Sequence, residues 1–372
     1  METVGKRGDY KLEAPGGPEC GADARRCLTL PGRPRTFAAP HVVLASASMP
    51  RVLFSDHDFP NLDLERGLFG TAGMEMVAAQ CSSEEQMIEA ASGCVAILLQ
   101  YAPITERVVA ALPDLAIVSR IGAGFDTIDT EACARHGIWV ANSPDYGVGE
   151  VATHALALAL ALVRNVLAYD RDVRAGRWHY LSSGPLRRAN ELTLGILGLG
   201  RIGKRMAHLS RNIFRRVLAC DPYLIDGDFP AYVERAADAA TLFAAADLVS
   251  IHTPLTAETR NMVGSALLSR MRPGSWLVNT ARGAIVDTDD LLAALDDGIL
   301  AGAALDVLPV EPVPADSGLL GHPRIILTPH AAFFSVQAEM ELRRKAAQNI
   351  VSWLERGEPD YVVVRGSRQA KR

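Results

Sequence analysis

The sequence lacks any pair of cysteines spaced for a metal or for a redox disulfide. Its six cysteines, Cys20, Cys27, Cys81, Cys94, Cys133 and Cys220, form no C-x-x-C. In a chain of 372 residues they read as reduced, mostly buried thiols, which places the protein in the cytoplasm. Basic charge is not in excess either. Lys and Arg number 38 against 43 Asp and Glu, a net charge of −5, so no nucleic-acid-binding surface is expected. No apolar run reaches the ~18 residues that cross a bilayer. The longest, Ala155–Val163, reads as a buried helix, and no membrane partner is expected. The N-terminus lacks the charged, apolar and small-residue order of a secretory signal. No repeat of solenoid period is present.

What is there is an ordinary globular composition, 49% hydrophobic and 22% charged, at a length that suits two domains. Residues 1–48 differ from the rest, with Gly, Pro, Arg and Ala dominant and no apolar period. They read as a disordered tail or an over-extended start, since Met49 directly precedes the first strand-like run. From there strands and helices alternate. Strands are expected at Arg51–Ser55, Gly73–Ala78, Cys94–Leu99, Ala116–Ser119 and Trp139–Ala141. Helices are expected at Ser83–Ala91 with Ser82 or Ser83 as cap, at Glu106–Ala111 and at Thr130–His136. The same alternation resumes with strands at Leu194–Leu197, Val217–Cys220, Leu248–His252, Ser275–Asn279, Gly302–Asp306 and Ile325–Leu327. This grammar is that of an α/β protein with parallel sheets. Between the halves, Gly149–Arg174 reads as one long Ala- and Leu-rich helix, apolar nearly all round. Such a helix should be buried on most sides, at a subunit interface or as a domain spine.

The run Thr193–Gly203 is the sharpest local signal. An apolar strand leads into Gly198, Gly200 and Gly203, which fit G-x-G-x-x-G at the turn into a helix Arg201–Ser210. The first glycine allows the tight turn, the second lets backbone approach a pyrophosphate, and the third lets helix pack on strand. Phosphates would sit on the free N–H groups and positive dipole end of that helix. Asp221 ends the next strand, 18 residues on. It suits a ribose 2′-OH and would repel a 2′-phosphate, which favours NAD over NADP. The alternative reading is an ordinary βαβ turn with the same glycines and no ligand.

Four further groups stand at or just beyond strand ends, where an open α/β sheet binds ligands. They are Val278–Gly283 with Arg282, Ala304–Val307 with Asp306, Glu311–Pro312, and Thr328–Ala331 with His330. Reduction of a 2-oxo acid needs a hydride, a clamp for the carboxylate and a proton for the carbonyl oxygen. Arg282 can hold a carboxylate through two parallel hydrogen bonds and orient it. His330 can give or take the proton. Glu311 beside it would fix the ring and stabilise the imidazolium.

These residues and their order resemble the NAD-dependent D-2-hydroxyacid dehydrogenases, most closely the C-terminal-binding-protein branch. The resemblance spans roughly residues 50–362. It rests on Arg120–Asp129, Gly195–Gly203, Asp221–Leu224, His252–Leu255, Val278–Val286, Gly302–Val307, Glu311–Pro312 and Thr328–Ser335. It implies Arg282, Glu311 and His330 as catalytic residues. It implies Gly198, Gly200, Arg201, Ile202, Gly203, Asp221, Thr253, Thr280 and Asp306 as NAD-binding residues. The loop Gly122, Ala123 and Gly124 would offer backbone N–H groups to the substrate carboxylate, with Tyr101 and Phe333 shaping the substrate site.

The resemblance also implies a domain order. A Rossmann cofactor domain, 148–332, would be inserted into a flavodoxin-like substrate domain made of 49–147 and 333–365. The chain would cross the hinge near Pro144–Gly149 and Pro329–Phe333. A homodimer through the helix near 150–170 is implied as well. Three positions depart from or select among branches. Phe333 stands where the C-terminal-binding-protein branch usually has Trp. The absence of Lys from 122–124 argues against a phosphite oxidant. Glu311 argues against the formate branch, whose histidine pairs with Gln. The expected activity is interconversion of a D-2-hydroxy acid and its 2-oxo acid. The alternative is an NAD(H)-sensing dimer that recruits partners as a corepressor does.

Overall fold

The computed structural model describes residues 49–369. The reading of residues 1–48 as a tail or false start lies outside them, as do Cys20 and Cys27. Strands β1 (Arg51–Phe54), β2 (Glu75–Ala78), β3 (Ala96–Leu99), β4 (Ile117–Arg120) and β5 (Trp139–Ala141) form a parallel sheet in the order β2-β1-β3-β4-β5. All of β3 and β5 is buried, as strands covered by helices on both faces must be. The second sheet takes β6 (Thr193–Leu197), β7 (Arg216–Cys220), β8 (Glu234–Arg235), β9 (Leu248–Ile251), β10 (Ser275–Asn279), β11 (Leu300–Leu305) and β12 (Ile325–Leu327). Its order is β12-β11-β10-β9-β6-β7-β8, all parallel. Strand β13 (Val362–Val364) then returns to the first sheet, antiparallel to β5. The expected α/β class, two mostly parallel sheets with flanking helices, is the one the chain adopts.

Local chemistry sets most boundaries. The second strand begins at Glu75 rather than Gly73, because Gly73 takes φ +71° in the turn that precedes it. Ser83, not Ser82, caps its helix by accepting a hydrogen bond from Gln86 N. Helix 63–71 was not foreseen; Gly67 and Gly70 weaken its sequence signal, and it forms by packing Phe69 into the core.

The long helix expected over Gly149–Arg174 is instead two, Val148–Val163 and Val166–Arg174, bent by 58°. Asn165 makes the break with φ +49°, and its Nδ2 donates to Ser183 O at 2.9 Å. Nor is the pair covered nearly all round within the chain. Ala152, Ala155, Ala159 and Leu162 pack into the second sheet's core, while Val166 (54% exposed), Leu167 and Val173 stay open. Among the described residues no single helix is long and apolar enough to cross a membrane.

Helix Val336–Arg356 lies on the first sheet although it follows the second in sequence. Ser119 Oγ donates to Ala346 O at 2.7 Å, and Asn349 Nδ2 donates to Asn142 O at 2.9 Å. A buried Arg343–Glu65 pair at 2.7 and 2.8 Å fixes it to helix 63–71, with Phe59 under the guanidinium at 4.3 Å. Breaking one side of such a pair costs about 3–5 kcal/mol. The chain therefore passes between the sheets twice, near 144–149 and near 329–335. The two crossings touch: a Cβ on Gly147 would lie 3.5 Å from Phe333 O, and Ser335 Oγ donates to Glu150 Oε1 at 2.9 Å.

Candidate active site

At the β6 turn the three glycines do what the sequence asks of them. Gly198 holds φ +90°, and a Cβ there would lie 2.7 Å from Thr253 N. A Cβ on Gly203 would meet Gly198 O at 2.2 Å. Above Gly200 the space is open, with nothing within 4 Å. Gly200 caps the helix Arg201–Ser210 without a side-chain bond, leaving its first N–H groups for a ligand. Asp221 braces this turn: Oδ2 accepts from Leu199 N at 2.9 Å and Oδ1 from Tyr223 N at 3.0 Å. Thr280 Oγ1 is buried with no partner among the described residues, an orphan that a bound group would satisfy. An open glycine, an uncapped helix and an orphan hydroxyl fit a dinucleotide.

Beside that turn lies a cavity of about 300 Å³. Of the expected residues it brings together Ala123, Gly124, Arg282, His330 and Phe333, with Ile202, Thr253, Thr280 and Asp306. Gly198, Gly200, Arg201, Gly203 and Asp221 belong to the adjoining turn, and Glu311 stands behind His330. Tyr101 is not placed in the wall; it is 51% exposed, and its backbone N–H is turned to Asp56.

His330 lines this cavity. Its Nδ1 lies 2.7 Å from Glu311 Oε2, which leaves Nε2 without a partner among the described residues. Glu311 Oε1 accepts from Leu308 N at 2.8 Å. Burial pushes the Glu311 carboxyl up, but His330 and that N–H outweigh it and hold Glu311 below the usual carboxylate range. His330 itself takes φ +53°, a conformation few non-glycine residues adopt. Asp306 maintains it: Oδ1 accepts from Thr328 Oγ1 at 2.6 Å and Ala331 N at 2.9 Å, and Oδ2 from Ala332 N at 3.0 Å. Asp306, expected at the cofactor, thus lines the cavity while its carboxylate clasps the histidine's turn. The cavity's other histidine, His252, is half-buried, and its removal from water pushes it down to about 4 and keeps it neutral. Phe333 stands edge-on to both His330 (6.3 Å) and Tyr146 (6.2 Å), forming an aromatic wall.

Arg282 lines the same cavity; its Nε donates to Asp126 Oδ1 at 3.0 Å and its Nη1 donates to Ala281 O at 2.8 Å. Burial would raise the Asp126 carboxyl, but Arg282 wins and lowers it. At Gly124 the guanidinium occupies the place a Cβ would take, with Nη2 at 1.5 Å from it. At 122 the same holds for Arg120, whose Nη1 would be 1.2 Å away. The Gly122 N–H is bonded to Arg120 O at 3.0 Å and is not available to a substrate. Arg120, Asp126 and Tyr146 line the cavity without having been singled out from the sequence. Arg120 and Asp126 both fall in the run Arg120–Asp129, and two charged residues flanking a strand-end glycine loop were the available signal.

Residues 156–332 match the family described as "D-isomer specific 2-hydroxyacid dehydrogenase, NAD binding domain". The glyoxylate reductase of Korarchaeum cryptofilum is 35% identical over 280 residues, covering 74% of this chain and 84% of that protein. The D-3-phosphoglycerate dehydrogenase of Synechocystis sp. is 31% identical over 314 residues, 83% of this chain but 55% of that longer protein. A crystal structure of D-lactate dehydrogenase from Aquifex aeolicus, complexed with NAD and lactic acid, superposes with a TM-score of 0.76 at 25% identity. It covers 85% of this chain and 100% of that one. The chain belongs to the D-isomer specific 2-hydroxyacid dehydrogenase family, NAD-dependent oxidoreductases that interconvert 2-hydroxy and 2-oxo acids.

Proposed function

We propose that Arg282 clamps the carboxylate of a 2-oxo acid while His330 Nε2 gives its proton to the carbonyl oxygen, and that both act in reverse on the D-2-hydroxy acid. The observation that carries this is His330, paired with Glu311 at 2.7 Å, lining one cavity of about 300 Å³ together with Arg282. Glu311 fixes the ring through Nδ1 and balances the imidazolium. When bound, the nicotinamide supplies or accepts the hydride. Gly198, Gly200, Gly203 and the start of the following helix would carry the pyrophosphate, and Asp221 the ribose. Thr280 Oγ1 offers a donor beside them.

The two contacting crossings support a hinge between a substrate domain, 49–147 with 333–365, and a cofactor domain, 148–332. The open apolar side chains of Val166, Leu167 and Val173 support a homodimer through that helix pair. Four buried free cysteines suit the cytoplasm. The run Arg120–Asp129 supports placement near the C-terminal-binding-protein branch, from which Phe333 departs while keeping an aromatic wall. The acid–base pair favours turnover over a recruiting NAD(H) sensor, which needs no proton donor. NADH mixed with glyoxylate, pyruvate, hydroxypyruvate and bulkier 2-oxo acids should be oxidised. Tight NADH binding with none of them reduced would overturn the reading.

A further inference from the structure

We propose that His154, on the helix Val148–Val163, is a positioning residue for His330: its Nε2–H fixes the Thr328 hydroxyl and, through it, the turn on which the acid–base ring stands. This rests on the preceding reading, in which His330 moves the proton.

His154 does not line the cavity, yet it reaches the segment that carries His330. Its Nε2 lies 3.1 Å from Thr328 Oγ1 and 3.6 Å from Asp306 Oδ1. The hydroxyl's single proton sets the direction of the bond. Thr328 Oγ1 gives that proton to Asp306 Oδ1 at 2.6 Å, so it accepts from His154. His154 therefore keeps a hydrogen on Nε2 in its neutral form as well as its charged one. A chain of bonds runs from the helix to the turn. His154 donates to Thr328, Thr328 donates to Asp306, and Asp306 accepts from the N–H groups of Ala331 and Ala332 on the far side of His330. Bonds in such a chain polarise and strengthen one another.

The turn needs this support. His330 stands at φ +53°, a left-handed conformation that a non-glycine residue keeps only where its surroundings over-determine it. Asp306 is 1% exposed, and a buried carboxylate is tolerated only with its donors in place. Of the donors to that carboxylate, two are backbone N–H groups and cannot swing away. The Thr328 hydroxyl can, and His154 is what stops it. The same helix face also holds the far side of the segment. Glu150 stands one turn before His154, and its Oε1 accepts from Ser335 Oγ at 2.9 Å. Thr328 and Ser335 bracket His330 and Phe333. The helix that grips both is itself seated in the second sheet's core through Ala152, Ala155 and Ala159.

The test uses two amides of different reach. In His154→Gln the side-chain NH₂ extends to where Nε2 stands; in His154→Asn it stops short, near the place of Nδ1. With NADH and a 2-oxo acid that the wild type reduces, His154→Asn should lower kcat by about tenfold or more, while KM for the acid and the affinity for NADH stay within about twofold. His154→Gln should return kcat to within about threefold of wild type. A kcat for His154→Asn that matches wild type overturns the proposal. So does equal slowing by both amides, which is the mark of lost packing, and so does a change confined to KM, which is the mark of a substrate contact. If no acid is reduced, or if His330→Gln turns over like wild type, the acid–base reading fails on its own. His154 is then judged by amide hydrogen exchange over residues 328–335. Faster exchange in His154→Asn, restored in His154→Gln, supports it, and equal exchange in all three proteins overturns it. If His154→Asn does not fold, Thr328→Val against Thr328→Ser decides, because only Ser keeps the hydroxyl. A kcat that falls with Val alone supports the proposal, and equal values overturn it.

Discussion

His330 and Glu311 both follow β11 in the chain, and they meet at 2.7 Å, held by bonds within residues 306–332 and by His154, whose Nε2 lies 3.1 Å from Thr328 Oγ1. Arg282 also follows a strand of the second sheet, but the acid it meets at 3.0 Å, Asp126, follows β4 of the first. The acid–base group is therefore held by the second sheet's own loops and by the helix Val148–Val163 packed on that sheet. The anion-binding group depends on how the two sheets approach each other. Proton transfer tolerates little misplacement, and a turn clasped by Asp306 supplies a rigid mount. A substrate clamp must engage and release, and a bond shared between two sheets lets closure and binding coincide.

That contrast can be broken one residue at a time. His330→Gln should give the largest effect, a loss of about 10²–10⁴-fold in turnover with NADH binding kept, read by NADH oxidation and NADH fluorescence. Loss of NADH binding would instead make His330 a cofactor residue. Arg282→Gln should lower kcat/KM on the order of 10²-fold, chiefly through KM. An effect confined to kcat would move Arg282 from clamp to chemistry. Asp126→Asn should raise KM about fivefold, the scale of a partly exposed ion pair of ~1 kcal/mol, with the shape of the pH–rate profile unchanged. A changed profile would show that the acid–base and anion-binding groups are coupled.

Glu311→Gln has the smallest expected effect on stability, and its sign is fixed. Glu311 is held below its unfolded value, so its pairing stabilises the native chain above a pH of about 4 and is lost as pH falls through the lower folded value. Denaturation midpoints of wild type and variant should differ near neutrality and converge in acid. A gap that widens in acid contradicts the assignment.

Much of this was legible in sequence because it is local. Apolar runs between turn residues give the strands, Ser83 marks its cap, and G-x-G-x-x-G with Asp221 marks the cofactor turn. Arg282, Glu311 and His330 showed themselves by standing at or just past strand ends. The break at Asn165 was hidden because Ala and Leu on both sides favour helix whatever the direction of the axis. Asp126 was hidden for a different reason. Its partner lies 156 residues away, and no local period encodes a bond between two sheets. Asp306 was placed in the right crevice, but only the folded turn shows that its oxygens hold Thr328, Ala331 and Ala332.

The most direct test of the central claim is a single turnover. Enzyme saturated with NADH is mixed with a limiting amount of a 2-oxo acid from the panel, NADH absorbance is followed, and the product's configuration is determined. The account predicts one NADH consumed per acid, giving the D-2-hydroxy acid, and no such burst in His330→Gln. Formation of the L-acid, or an undiminished burst in the variant, would contradict it.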